Sequence, residues 1–244
     1  MKKSLKVLMA FGAATVIITG CQSKTQLSSS SITETKAVAA DSFKIPEGYK
    51  VIGNMPDRNI YLLGKDGEKA GYDRFLLHKD GVDKEFNWKS VMKTPNMQLC
   101  DLNDDGKEEL ATIVTTGYGT GFLEQKIHVV DLETMDEVKV DDPVEVTKNN
   151  VKTYLSSDKV VFSLNGEDFS YSLEDKASST AEEEFKNLTY GTFITHYLEN
   201  NKIKTKVDAR TNPNSSLTQF EITYKYSEEG FVPENLKIAS EREQ

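Results

Sequence analysis

Residues 101–109 read Asp-Leu-Asn-Asp-Asp-Gly-Lys-Glu-Glu, and their oxygens recur at alternate positions. Asp101, Asn103 and Asp105 supply side-chain oxygens at the first, third and fifth places, and Gly106 permits the sharp turn that follows. Lys107 would add its backbone carbonyl, and Glu109 a carboxylate or a contact through water. This is the spacing with which a loop wraps a hard, oxygen-seeking cation. Calcium accepts flexible oxygen shells completed by water, whereas magnesium demands a tighter octahedron, so calcium in a structural role is the expected ion. The plainer account of the same residues is an Asx-type turn. Crowding Asp101, Asp104, Asp105 and Glu109 together without a counter-ion would be repulsive, which favours the metal.

The elements around the loop read as strands. The twelfth position is Thr112 rather than a bidentate Glu, and Leu110–Thr116 is a β-branched run. Gly117-Tyr-Gly-Thr-Gly121 has neither the Lys-Ser/Thr nor the following helix of a phosphate loop, so it reads as a wide hairpin turn before the strand Lys126–Val130. In that turn Tyr118 and Phe122 are candidates for an exposed ligand surface near the ion.

Elsewhere the dominant period is two. Phe220, Ile222, Tyr224 and Tyr226 share one face of a strand, and Val160, Phe162 and Leu164 alternate up to Asn165-Gly166, after which Phe169 and Tyr171 follow. Asn-Gly between alternating runs predicts a hairpin, because both residues accept positive φ. Asp66-Gly67, Asp80-Gly81 and Asn200-Asn201 predict further tight turns. About a dozen short strands result, which makes the fold mainly β, an antiparallel meander closed as a propeller-like array or a sandwich. Helix is confined to one or two short turns, the clearest starting at Thr180-Ala-Glu-Glu183 and running to Phe185. A composition break at Asp141-Asp142-Pro143 marks either a subdivision near 141–150 or a long loop.

A calcium loop that runs into a strand resembles the FG-GAP/VCBS-type repeats of integrin alpha-chain propellers. More narrowly, Asp101 to Asp131 resembles VCBS-repeat-containing lipoproteins of Gram-positive bacteria, a family mostly of unassigned function. The resemblance implies a β scaffold, a structural calcium and an extracellular binding role. It covers about thirty residues, and the single complete loop counts against a full propeller, which usually carries several.

The N-terminus supports the same address. Lys2, Lys3 and Lys6 precede an apolar stretch from Val7 to Ile18, too short for a membrane span of about 20 residues. Ile18-Thr19-Gly20-Cys21 resembles the lipobox of bacterial lipoproteins, with Ile18 where Leu is usual. The resemblance implies a signal peptide over 1–20, lipidation of Cys21 and anchoring to the bilayer on the extracytoplasmic face of the cell membrane. Residues 22–42, rich in Ser, Thr, Gln and Lys, are too polar to bury and read as a tether to a domain over 43–244. Losing three of the 30 Lys and Arg with the signal leaves 27 basic against 39 acidic side chains, a net of −12. Such a surface is unsuited to nucleic acid. Cys100 is then left without an intrachain disulfide partner and reads as a buried small hydrophobe.

Catalytic signatures are missing from the sequence. His78, His128 and His196 are scattered, and neither a His-Glu-x-x-His nor a Gly-x-Ser-x-Gly stands in the chain. Lys202, Lys204 and Lys206 line one strand face, the usual pattern of an edge-protecting surface. The function expected is a noncatalytic, calcium-stabilised binding or adhesion module for a protein, glycan or cell-wall ligand. The alternatives are a regulatory or sensor subunit of a membrane partner, or a hydrolase built on carboxylates.

Overall fold

The computed structural model describes residues 43–67, 70–156, 158–173, 188–212 and 215–239. Cys21, the segments 1–20 and 22–42, and the helical turn expected over 180–185 lie outside them. Residues 49–86 form a four-stranded antiparallel meander of β1 (Tyr49–Met55), β2 (Ile60–Asp66), β3 (Tyr72–Lys79) and β4 (Val82–Phe86). A larger, curled sheet follows the order β15-β14-β13-β12-β7-β6-β5. Its strands are β5 (Asn96–Cys100), β6 (Glu109–Gly119), β7 (Phe122–Val130), β12 (Thr189–Glu199), β13 (Lys202–Asn212), β14 (Ser215–Ser227) and β15 (Gly230–Ile238). The short β8 (Glu137–Val138) adds to the end of β7. A third sheet pairs β9 (Lys152–Leu155), β10 (Lys159–Leu164) and β11 (Glu167–Ser172). The fold is mainly β.

Turn chemistry explains much of this meander. Asp80-Gly81, Asn165-Gly166 and Asn200-Asn201 all have positive φ at both residues, between 49° and 84°. Type I′ hairpins need that combination, and its twist matches that of the strands. The turn between β6 and β7 is tighter than its five residues suggest. Gly117 to Gly119 stay in β6, a bulge between Thr115 and Gly117 absorbs the extra residue, and only Thr120-Gly121 lies outside the strands.

Two features depart from a plain antiparallel meander. β12 pairs with β7 in parallel, Phe193 opposite Leu123. Parallel neighbours need a long crossover, and β8, α1 and the third sheet fill it. Residues Pro143–Asn150 form the helix α1 rather than a loop. Asp142 caps it by accepting from the amides of Val144 and Glu145 at 2.8 and 3.1 Å, and Pro143 takes the first turn, where its missing N–H costs nothing.

β6 and β7 are buried on both faces, which is why Glu109–Val114 is closed to solvent at every position. Leu110, Val114 and Val130 face Leu62, Phe75, Leu77 and Trp88 of the first sheet and its connection to β5. Ala111, Ile113, Ile127 and Val129 face the other way, into a core with Phe162, Val207, Phe220 and Ile222. That core draws on residues from both sides of α1. The alternation in β14 holds for Phe220, Ile222 and Tyr224, while Tyr226 passes the end of the core and is exposed.

Candidate functional site

The acidic loop joins β5 to β6, whose ends meet with Cys100 opposite Glu109. Two left-handed residues bend it, Asp104 at φ 61° and Gly106 at φ 85°. Asp101 accepts the amides of Asp105 and Gly106 at 3.2 and 3.0 Å, Asn103 accepts that of Asp105 at 2.9 Å, and Asp105 that of Lys107 at 2.8 Å. The Lys107 side chain reaches Glu133 at 2.5 Å, outside the loop. Glu109 turns inward, buried, and accepts the amide of Leu102 at 2.8 Å.

Burial raises the Glu109 carboxyl above the ordinary range; the Leu102 amide opposes the rise, and repulsion from Asp105, Asp101 and Asp131 adds to it. Asp131 went unnoticed as a possible participant in the sequence. The signal was there in the hairpin arithmetic. Leu110 pairs with Val130, so the residue after Val130 falls beside Glu109. As they stand, no three Asp, Glu, His or Cys side chains among the described residues converge as metal ligands. The donors still suit a hard cation. Each carboxylate has about four lone-pair positions, so the amide contacts leave oxygens available, and the buried Glu109 carboxyl feels the charges of its acidic neighbours.

Tyr118 and Phe122 lie elsewhere. Both are exposed, at the tip of the β6–β7 hairpin, and nine strand residues at about 3.4 Å each put Tyr118 some 30 Å from the loop end of β6. They are therefore not near the acidic loop. The Phe122 ring packs on Gly117, where any side chain would collide with it. Cys100 is buried as expected, and its thiol donates to Asn201 Oδ1 at 3.3 Å.

A second constellation, absent from the sequence reading, surrounds a cleft of about 470 Å³ where β7 parts from β12 and takes β8 as its neighbour. All three histidines have partners. His78 meets Asp83 at 2.6 Å, away from the cleft. His128 Nδ1 donates to Glu137 at 2.6 Å, while the indole of Trp88 donates to the other oxygen of Glu137 at 2.9 Å. Trp88 stacks between Phe86 and His128, each centroid 4.3 Å away. Burial pushes the Glu137 carboxyl up, but the hydrogen bonds from His128 and Trp88 outweigh it and hold it below the usual range. His196 is buried and pushed down to about 4, chiefly by burial, so it is neutral. It faces Thr205 at 2.7 Å and the carbonyl of Gln125 at 3.2 Å.

Comparison of the chain with protein-family models, with curated proteins and with solved structures finds no match in any of the three.

Proposed function

We propose that the chain is a lipid-tethered, extracytoplasmic binding module without catalytic activity, whose β5–β6 loop holds a structural calcium ion. The observation that carries the calcium reading is the buried Glu109 carboxyl, raised by burial and by the charges of Asp105, Asp101 and Asp131. A cation there would offset repulsion that the fold otherwise bears. Asp101, Asn103 and Asp105, the Lys107 carbonyl and Glu109 would hold it, and the ion would pin the β5–β6 hairpin to the end of β7. The tether rests on Ile18-Thr19-Gly20-Cys21 and the polar stretch behind it. The binding role rests on the acidic surface, the exposed aromatic hairpin tip and the cleft beside β7.

The test is thermal unfolding of the full chain in EDTA, in magnesium, and across calcium up to about 10 mM. For a dissociation constant near 10⁻⁴–10⁻³ M, linkage gives roughly 1.5–2.7 kcal/mol at that concentration. A saturable rise specific to calcium, lost in Asp101→Ala/Asp105→Ala, supports the ion; no rise removes it. Fatty-acid labelling in a bacterial host, abolished by Cys21→Ala, tests the anchor separately.

A further inference from the structure

The cleft beside β7 contains a stretch of strand edge that no strand among the described residues pairs. β12 follows β7 only as far as Glu124, opposite Ile194, and β8 begins at Val129, opposite Val138. Between them the direction of the main chain is set by its neighbours. The carbonyl of Gln125 takes the Nε2–H of His196, and the amide of Asp131 donates to Asp136 on the β8 side. Main-chain groups alternate along a strand, so the N–H and C=O of Ile127 point to this same edge. No strand among the described residues faces them.

The opening is built in. In a regular parallel ladder the amide of His196 would bond to the carbonyl of Gln125. Here the Gln125 side chain takes that amide at 3.0 Å, and the imidazole takes the carbonyl, so β12 is wedged away from β7. Val138, Val140, Pro143 and Ile194 give the cleft an apolar lining. Of the charged residues that line it, Glu124, Glu137, Asp141 and Asp142 outnumber Lys126 and Lys139, even with Lys139 paired to Asp141 at 2.8 Å and Glu137 bonded to His128 and Trp88.

We infer that this wedge binds short peptides in extended conformation, pairing one peptide residue with the main chain of Ile127. An extended residue presents its N–H and C=O on one side, the complement of what Ile127 offers. The apolar lining takes an apolar side chain, and the acidic rim favours a basic neighbour. The volume lies in the range of small-ligand sites, about 300–1,000 Å³. The strands at either end leave about four residues of β7, roughly 13 Å, so the ligand is a di- or tripeptide unit and not a long strand. The inference rests on the reading of the domain as a binding module and names its ligand class.

The experiment titrates acetyl-Ala-Val-Lys-amide into ¹⁵N-labelled full chain and follows the amide resonances. Saturable shifts over Gln125–Val129 and Val138–Asp142, with Ile127 moving downfield, are expected. The same peptide N-methylated at Val, which removes its central donor, should bind at least tenfold more weakly. Ile194→Trp, which fills the cleft, should abolish the shifts while the rest of the spectrum stays in place. Absence of shifts, shifts confined to another surface, or equal binding of the N-methylated peptide overturns the inference. Calcium-dependent melting is recorded on the same sample. A calcium rise without peptide shifts overturns this inference alone, and loss of both overturns the module reading as well.

Discussion

The Glu109 carboxylate accepts the amide of Leu102 at 2.8 Å, and this contact closes the acidic loop from the inside while Asp101, Asn103 and Asp105 hold it from the outside. The two sides differ in electrostatic cost. Asp101 and Asp105 are partly or fully in water, whereas Glu109 is buried and raised.

A carboxyl raised on folding binds more protons in the native state than in the unfolded one. Its favourable contribution is complete below the unfolded value and is lost as pH climbs through the folded one. In EDTA, then, Glu109→Gln is neutral or stabilising at pH 7 and loses that advantage as the pH falls below the ordinary carboxylate range. In saturating calcium the same substitution lowers the melting temperature. Thermal melts of both proteins at several pH values, with and without the ion, check the change of sign.

Glu137 runs the opposite way. Its carboxyl is lowered on folding, so the stability it confers is present above the unfolded value and is lost as pH falls through the depressed one. Glu137→Gln should remove that acid-side loss and cost about 1–2 kcal/mol at pH 7, since two hydrogen bonds to a charged, part-exposed acceptor weaken together. Trp88 is the chain's one tryptophan and touches Glu137 and His128, so its emission reports on that cluster. A red shift in Glu137→Gln is expected, and an unchanged spectrum would show that the indole is held by stacking alone.

Phe162 is fully buried and meets Phe220 and Tyr171 edge-on, at centroid distances of 5.3 and 5.6 Å. It ties the third sheet to the large one. Phe162→Ala should destabilise by about 3–5 kcal/mol, or roughly 6–20 °C in melting temperature for a domain of this size. Loss of far less would mean that the third sheet is only loosely attached.

Gly166 sits at φ 84° with open space around it, so a methyl group there meets only the conformational penalty. Gly166→Ala should cost about 1–2 kcal/mol. Gly119→Ala, equally uncrowded and without a positive φ, should stay within about 0.5 kcal/mol. Equal effects in denaturant melts would refute the assigned turn.

Local chemistry in the chain carried the strands and most of their turns. Side-chain alternation shows which face of β10 and β14 is buried, because the pleat has a period of two whatever packs against it. Asn165-Gly166 and Asp80-Gly81 specify their hairpins, because few other residue pairs accept positive φ twice. The Asx-turn residues Asp101, Asn103, Asp105 and Gly106 likewise specify the bent loop between β5 and β6. α1 was missed: Asp142-Pro143, a cap followed by a proline, is its only local signal, and its brief, polar face offered no period to read.

The rest depended on contacts between distant residues. Parallel pairing of β7 with β12 joins Leu123 to Phe193, and no local pattern encodes which strand closes over a crossover of that length. Asp131 approaches Glu109 only once β6 and β7 are in register. Trp88, His128 and Glu137 meet because one sheet packs on another. The edge at Ile127, which no strand among the described residues pairs, lies where Gln125 and His196 replace the ladder bond between β7 and β12 with side-chain bonds. Short-range sterics and hydrogen-bonding geometry wrote the strands and turns into the sequence, while the cleft, being a space between elements, was decided by how those elements pack.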